Sequence, residues 1–285
     1  MLGVIGGSGF EKFDEFETIE LLDRETPFGQ ASSGMKKVSV DGHEFIFISR
    51  HGEHHEHLPS EINYRANIFA LKKHGAKAVV SFSAVGSLQQ QFAPGDMVVP
   101  YQYIDRTKSL REHTFLGKGL IGHVSLAKPV CDVMAEKAIE LVMENNLNAQ
   151  FKTHFGQTYV CIEGPYFSTK AESNSYRQMG ADIIGMSNFP EYALAREAGL
   201  PYLPCCFVTD YDCWDDSIPH VTVEEVIRVM RGNNSKAFTM LRHFLVSGMF
   251  YLGSSAYEGG LKTGLFMPKE AIPSDKLEWV EFLMN

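Results

Sequence analysis

The chain has 285 residues, 44% hydrophobic and 21% charged, with a formal net charge of −9. That is enough sequence for one large α/β domain, and too acidic for a general nucleic-acid or membrane-surface binder, so the expected partners are small molecules. Five cysteines (Cys131, Cys161, Cys205, Cys206 and Cys213) form no Cys-x-x-Cys pair, which argues against a disulfide scaffold or zinc ribbon and fits a reduced cytoplasm. The start, Met1 to Gly9, lacks a charged n-region and a long apolar stretch, and no run of about 18 apolar residues follows, so neither export nor a membrane span is expected.

Taken in chain order, a first strand is predicted over Leu2–Ile5, running into Gly6-Gly7-Ser8-Gly9. Glycines there let backbone amides approach an anion and Ser8 adds a hydroxyl, although the P-loop lysine is missing and a plain tight turn fits as well. Strands over Lys37–Val40 and Glu44–Ser49 follow, the second ending at Arg50-His51. An arginine beside a histidine suits an oxyanion, the alternative being surface charge. His51, His54, His55 and His57 crowd one segment without an i, i+4 frame or a cysteine partner, so no metal is expected.

A helix over Ser60–Lys73 carries Ile62, Ala66, Phe69 and Ala70 on one face, with Lys72 and Lys73 in its last turn. The strand over Ala78–Ser83 ends in small residues, Ser83-Ala84-Val85-Gly86-Ser87. Further strands are predicted over Met97–Ile104, Thr158–Ile162, Asp182–Met186 and Tyr202–Val208. Thr169-Lys170-Ala171-Glu172 and Thr222-Val223-Glu224-Glu225 have the pattern of capping boxes, the second opening a helix that buries Val223, Val226, Ile227 and Met230. Pro190 and Gly199 bracket another helix from Glu191 to Ala198. The alternation predicts an α/β fold of three layers, α/β/α, around a central mixed sheet. Ligands of such sheets bind beyond the strand ends, where the suggestive residues sit.

The most informative stretch is Val208-Thr209-Asp210-Tyr211-Asp212-Cys213-Trp214. On a continuing strand, Asp210 and Asp212 would project to the same side with Cα atoms about 6.5 Å apart. A protonated and an ionised acid so placed match the N7 acceptor and 6-amino donor of an adenine edge, whereas a strand-end turn or helix cap would explain both residues without any ligand.

Together with Ile5 to Gly9, Arg50-His51-Gly52, Asn63 to Asn67, Ser83 to Ser87, Pro94-Gly95-Asp96, Glu163-Gly164-Pro165, Gly185-Met186-Ser187 and Pro190-Glu191, this stretch resembles, in order, the trimeric purine nucleoside phosphorylase superfamily. The resemblance covers roughly residues 1 to 247, leaving 248–285 as a tail on the same domain or at a subunit interface. It implies a phosphorylase/hydrolase-like fold and a pentosyltransferase that splits a 6-aminopurine nucleoside with phosphate as co-substrate, without metal or organic cofactor. By the same resemblance, Ser8, Arg50, His51, Ser83, Ala84 and Ser187 would hold phosphate, Met186 the ribose and Phe167 the purine, with Asp210 and Asp212 acting on its N7 and 6-amino edge. His55, Val223 and Val226 would line the pocket for the 5′ substituent. His123 matches a position supplied by a neighbouring subunit, implying a trimer or a dimer of trimers.

Chemistry sharpens these expectations. The purine leaves with developing negative charge, so a neutral Asp210 donating to N7 would lower the barrier, and phosphate would capture the oxocarbenium-like sugar. A 6-oxopurine would leave Asp212 facing a carbonyl, a mismatch that reaches a factor of about 10⁴. Superfamily members preferring 6-oxopurines carry Asn at the first acidic position. An apolar 5′ wall favours a methylthio over a hydroxyl substituent. The alternatives are a phosphorylase of this fold acting on adenosine, methylthioinosine or 6-oxopurine nucleosides, a nucleoside hydrolase, and a non-catalytic nucleoside-binding protein. Tyr166 departs from the family arginine, Ser187-Asn188-Phe189 from its usual hydroxyl-rich run, and the tail finds no counterpart.

Overall fold

The computed structural model describes residues 1–11, 13, 15–217, 222–249 and 259–285. Its centre is a mixed sheet of nine strands, in the order β10-β9-β8-β11-β7-β1-β6-β5-β2. In the chain these are β1 (Leu2–Gly6), β2 (Glu17–Leu21), β5 (Lys36–Val40), β6 (His43–Ser49), β7 (Ala78–Ser87), β8 (Met97–Arg106), β9 (Thr153–Ile162), β10 (Ile183–Gly185) and β11 (Tyr202–Asp210). A separate ribbon joins β3 (Glu25–Thr26) to β4 (Gly29–Gln30). All eight predicted strands are present.

The strands β11, β7, β1 and β6 are parallel neighbours, with Ile5 opposite both Ile48 and Ser81. β1 is buried along its whole length, and β7 and β11 along nearly all of theirs, as their continuous Val, Ile, Phe and Cys content requires of central parallel strands. At the other side the sheet curls, because β10 pairs in parallel with β9 and antiparallel with β7. That closes β7, β11, β8, β9 and β10 into a ring.

Helices pack on this sheet in two groups, α1 (Tyr64–Lys73) with α4 (Glu191–Glu197), and α2 (Asp132–Glu144) with α5 (Val223–Val246). α1 starts four residues later than expected, because the Asn63 side chain accepts the Ala66 amide and caps it there. Its predicted face is buried as drawn, Ile62, Ala66, Phe69 and Ala70 included. α3 (Lys170–Gln178) has the full capping box at Thr169 and Glu172. At α5 only half of one forms. Thr222 accepts the Glu225 amide, while the Glu225 carboxylate pairs with Arg228.

The tail packs on the same domain where it is described. α6 (Leu261–Gly264) and α7 (Leu277–Met284) place Leu261, Val280 and Leu283 in the core, and Lys72 Nζ donates to the Leu283 carbonyl at 2.8 Å. Among the described residues no helix is long and apolar enough to cross a membrane.

Candidate active site

The carboxyl ends of β1, β6, β7 and β11 open onto one cavity of about 620 Å³. Ser8, His51, Ala84, Met186 and Ser187 line it, as do Phe167, Asp210 and Asp212, with His55 and Val226 beside them. Ten of the fourteen residues singled out in the sequence therefore meet at one place.

The two aspartates reach it by a different route from the one expected. β11 carries a bulge between Val208 and Asp210 and ends there, and Asp212 lies beyond it at φ 51°. That is a left-handed conformation which aspartate tolerates better than most residues. Asp210 Oδ1 accepts the Asp212 backbone amide at 2.8 Å. The carboxylates thus share the cavity through a turn, not through strand alternation. Trp214 anchors this turn by donating its Nε1 to the Ser87 carbonyl at 3.0 Å, and the Arg177 guanidinium stacks 3.7 Å from its ring. Gly86 lies opposite, where a Cβ would come within 3.0 Å of Asp210 Oδ1.

Burial raises the pKa of Asp210 against the hydrogen bonds from Thr209 and the Asp212 amide, so the acid form is favoured. Asp212 is pushed up to about 6, chiefly by burial with Asp210 adding. Its Oδ2 is buried with no hydrogen-bond partner, an acceptor open to a ligand. Because the protonated form is favoured in the fold, this group leaves stability intact below its ordinary 3.8 and removes it as pH rises through about 6. Asp212→Asn is therefore expected to stabilise the free protein by about 1–3 kcal/mol at pH 8 and hardly at pH 4. Urea midpoints of both proteins at the two pH values check this, and an equal gap at both would refute it.

Around the Gly6–Gly9 turn the structure departs from the expected amide cradle. The Gly7 amide donates to the Phe82 carbonyl at 2.9 Å, and the Gly9 amide to Glu11 Oε1 at 3.1 Å. Ser8 is left to face the cavity.

The expected Arg50–His51 clamp also divides. His51 lines the cavity, whereas Arg50 is fully buried behind it. Arg50 Nε and Nη2 donate to the two Glu191 carboxylate oxygens at 2.7 and 2.9 Å, Nη2 also to Ser81 Oγ at 2.5 Å, and Nη1 to the Phe82 carbonyl at 3.1 Å. Gly7 is required above it, since a Cβ there would lie 2.2 Å from Arg50 Nη1. The arginine ties β6, β7 and α4 together beneath the turn.

His51 Nδ1 faces the His57 carbonyl at 2.9 Å, so it carries the hydrogen and leaves Nε2 as an acceptor. Burial and the Arg50 charge push its pKa down to about 3, which keeps the ring neutral. A neutral imidazole with a free lone pair suits a protonated oxygen, a sugar hydroxyl or a P–OH, rather than a bare oxyanion. Ser83, expected among the phosphate ligands, is buried and donates its hydroxyl to Asn188 Oδ1 at 2.8 Å, which orients the residue after Ser187.

The wall formed by α5 differs in a second respect. Val226 and Met230 are half-buried and Ile227 exposed, all three lining the cavity, because the apolar face expected to enter the core borders this space instead. The side chain of Val223 lies outside the described residues. His55 stacks on His51 with ring centroids 4.5 Å apart, and its Nδ1 meets Glu11 Oε1 at 2.7 Å. Burial alone would raise the Glu11 pKa, but the hydrogen bonds from His55 and nearby amides hold it below the usual range.

His123 is exposed and does not line the cavity; its amide donates to the Gly264 carbonyl at 2.8 Å. Among the described residues no group of three or more His, Cys, Asp or Glu side chains is placed to hold a metal. Sequence reasoning passed over Glu11, Gly86, Ser168 and Thr209 as cavity residues. Gly86 and Thr209 had readable signals, the first as part of the Ser83–Ser87 strand end and the second as a hydroxyl adjacent to the first aspartate.

A profile of the Phosphorylase superfamily matches residues 1–246. The S-methyl-5′-thioadenosine phosphorylase of Geobacter sulfurreducens is 38% identical over 285 residues, covering 100% of this chain and 98% of the relative. That match runs through the tail, which the sequence motifs alone left without a counterpart. A crystal structure of a methylthioadenosine phosphorylase sourced from an antarctic soil metagenomic library superposes with a TM-score of 0.91 at 40% identity, covering 100% of this chain and 98% of the other. The methylthioadenosine phosphorylase of Schistosoma mansoni in complex with adenine gives 0.81 at 33% identity, with 88% and 94% covered.

Proposed function

Because this chain belongs to the phosphorylase superfamily, we propose that it splits 5′-methylthioadenosine with inorganic phosphate, giving adenine and 5-methylthioribose 1-phosphate. The observation that carries this reading is a single cavity joining two buried carboxyl groups, a hydroxyl- and imidazole-lined end, and an apolar helix face. The relatives named above carry the same activity in their names.

In this reading Phe167 covers the purine, Asp210 donates to N7, and Asp212 accepts the 6-amino group. Met186 lies against the ribose. Ser8, His51, Ala84 and Ser187 surround the phosphate, with His51 Nε2 accepting a hydrogen from it or from a ribose hydroxyl. Val226, Ile227 and Met230 take the methylthio group. As the C1′–N9 bond breaks, its electrons pass to the purine, N7 takes the Asp210 proton, and a phosphate oxygen bonds to C1′. Neither metal nor organic cofactor enters, so activity should survive a chelator. The Glu11–His55 pair beside the 5′ wall favours adenosine as a second substrate, because it offers hydrogen bonds to a 5′-hydroxyl.

We also place the protein in the cytoplasm, where its five cysteines remain reduced. Within a homotrimer or a dimer of trimers, the exposed His123 would complete a neighbour's site. A single-chain mass by light scattering would remove that part of the reading, and cell fractionation tests the location.

The decisive assay is adenine release from 5′-methylthioadenosine and adenosine, with hypoxanthine release from inosine in parallel, each with and without phosphate. Phosphate-dependent release fastest from 5′-methylthioadenosine is expected. Preference for inosine would overturn the base assignment, release without phosphate would indicate hydrolysis, and no release would leave a binding role.

A further inference from the structure

Thr209 immediately precedes Asp210 and is 3% exposed. Its Oγ1 lies 3.2 Å from the Val85 carbonyl oxygen and 2.6 Å from Asp210 Oδ2. A threonine hydroxyl has one hydrogen, and a carbonyl oxygen only accepts. Both contacts are hydrogen bonds at once only when Asp210 Oδ2 carries a proton and donates it to Thr209, while Thr209 donates to Val85. Once the carboxyl is ionised, Oδ2 is purely an acceptor, and the hydroxyl hydrogen must turn from Val85 to Asp210. The other oxygen is engaged in both states, because Oδ1 accepts the Asp212 amide at 2.8 Å.

We propose that Thr209 is a positioning residue for departure of the base, a hydroxyl switch that offers its lone pair to protonated Asp210 and its hydrogen to ionised Asp210. This rests on the reading of Asp210 as the acid. The balance is simple. When the purine is bound, the O–H of Asp210 Oδ2 turns from Thr209 to N7; the electrons of the C1′–N9 bond then pass to the purine, and N7 takes that proton. The O–H electrons stay on the carboxylate, and a phosphate oxygen closes the bond to C1′. Thr209 neither gains nor loses a proton; its O–H turns about the Cβ–Oγ1 bond.

No heavy atom moves, so the carboxyl keeps one position before and after the transfer, as preorganisation requires. Asp212 is the titratable neighbour on the same turn. Glu172 and Tyr176 of α3, with Cys213, face Asp212.

Thr209→Val removes the hydroxyl at nearly constant shape, and Thr209→Ser keeps it. In Thr209→Val, kcat for phosphorolysis is expected to fall about 10–100-fold with KM changed less than about twofold, as for a group acting in the transition state. The alkaline limb of the kcat profile should move to higher pH, because the carboxylate has lost a donor that favours ionisation. Thr209→Ser should retain kcat within about threefold and the original limb. Thr209→Ala serves as a second hydroxyl-free variant should the valine form fail to fold. Wild-type kcat and limb in a hydroxyl-free variant, or a serine variant as impaired as valine, would overturn the switch alone. Absence of phosphate-dependent release by the wild type would overturn the acid reading and the switch with it.

Discussion

Asp210→Asn is expected to lower kcat/KM for 5′-methylthioadenosine by about 10²–10⁴-fold, the range for loss of a general acid. The amide is isosteric, its oxygen can still accept the Asp212 backbone N–H, and its nitrogen can face Thr209, so the turn should survive. What is lost is the transferable proton. The same change should alter base choice, since an amide N–H can donate to the N7 and O6 acceptors of a 6-oxopurine. The ratio of inosine to 5′-methylthioadenosine turnover is expected to rise by about 10²-fold or more, well inside the span that hydrogen-bond mismatches produce. Competition between the two nucleosides measures it directly. An unchanged ratio would sink the assignment of Asp210 to N7 even if the rate fell.

Arg50→Ala is the second substitution with a large expected effect, and its main consequence is on the fold. The Arg50–Glu191 pair is buried at 0% and 1% exposure, and the Glu191 carboxylate also receives the Ser81 and Tyr202 hydroxyls at 2.6 and 2.7 Å. Removing the guanidinium leaves an uncompensated charge in the interior, which destabilises by about 3–5 kcal/mol. Exposed pairs such as Lys128–Asp132 contribute about 1 kcal/mol or less. A loss of that size is a large fraction of the usual 5–15 kcal/mol of domain stability. Arg50→Lys should recover little, because an ammonium cannot span both carboxylate oxygens and Phe82 together. Urea unfolding gives the answer. A variant of native stability that merely needs more phosphate would restore the arginine as a direct phosphate ligand.

The contrast between those residues marks what was legible in the sequence. Strands of the central block were readable because each is a continuous apolar run, and α1 because its face repeats at helical spacing. β2 was not, since Glu17–Leu21 is exposed throughout and carries no buried alternation. α2 did show the spacing, in Met134, Ala135, Ala138, Leu141 and Val142, but Cys131 before it supplies no side-chain cap to mark a start. α7 is only eight residues long, too short for a periodicity to stand out.

In the site, residue types were legible and partners were not. Arg50 and Glu191 are 141 positions apart, and nothing local in Arg50-His51 says that the first side chain turns inward while the second faces the cavity. Likewise the bulge in β11 and the left-handed Asp212 are products of sheet packing and turn anchoring by Trp214. The spacing of the two aspartates pointed to the right neighbourhood through the wrong local geometry.

The curl that brings β10 back onto β7 has a consequence for how the molecule behaves in a crowded solution. Among the described residues β10 covers part of the sheet at that end, opposite Tyr159 to Cys161 of β9 and Gly86 and Ser87 of β7, while β2 forms an open border at the other. That border carries Glu17 and Glu20 within Glu-Thr-Ile-Glu-Leu. Two copies approaching border to border would bring like charges together across a strand pairing, which disfavours polymerisation through that edge.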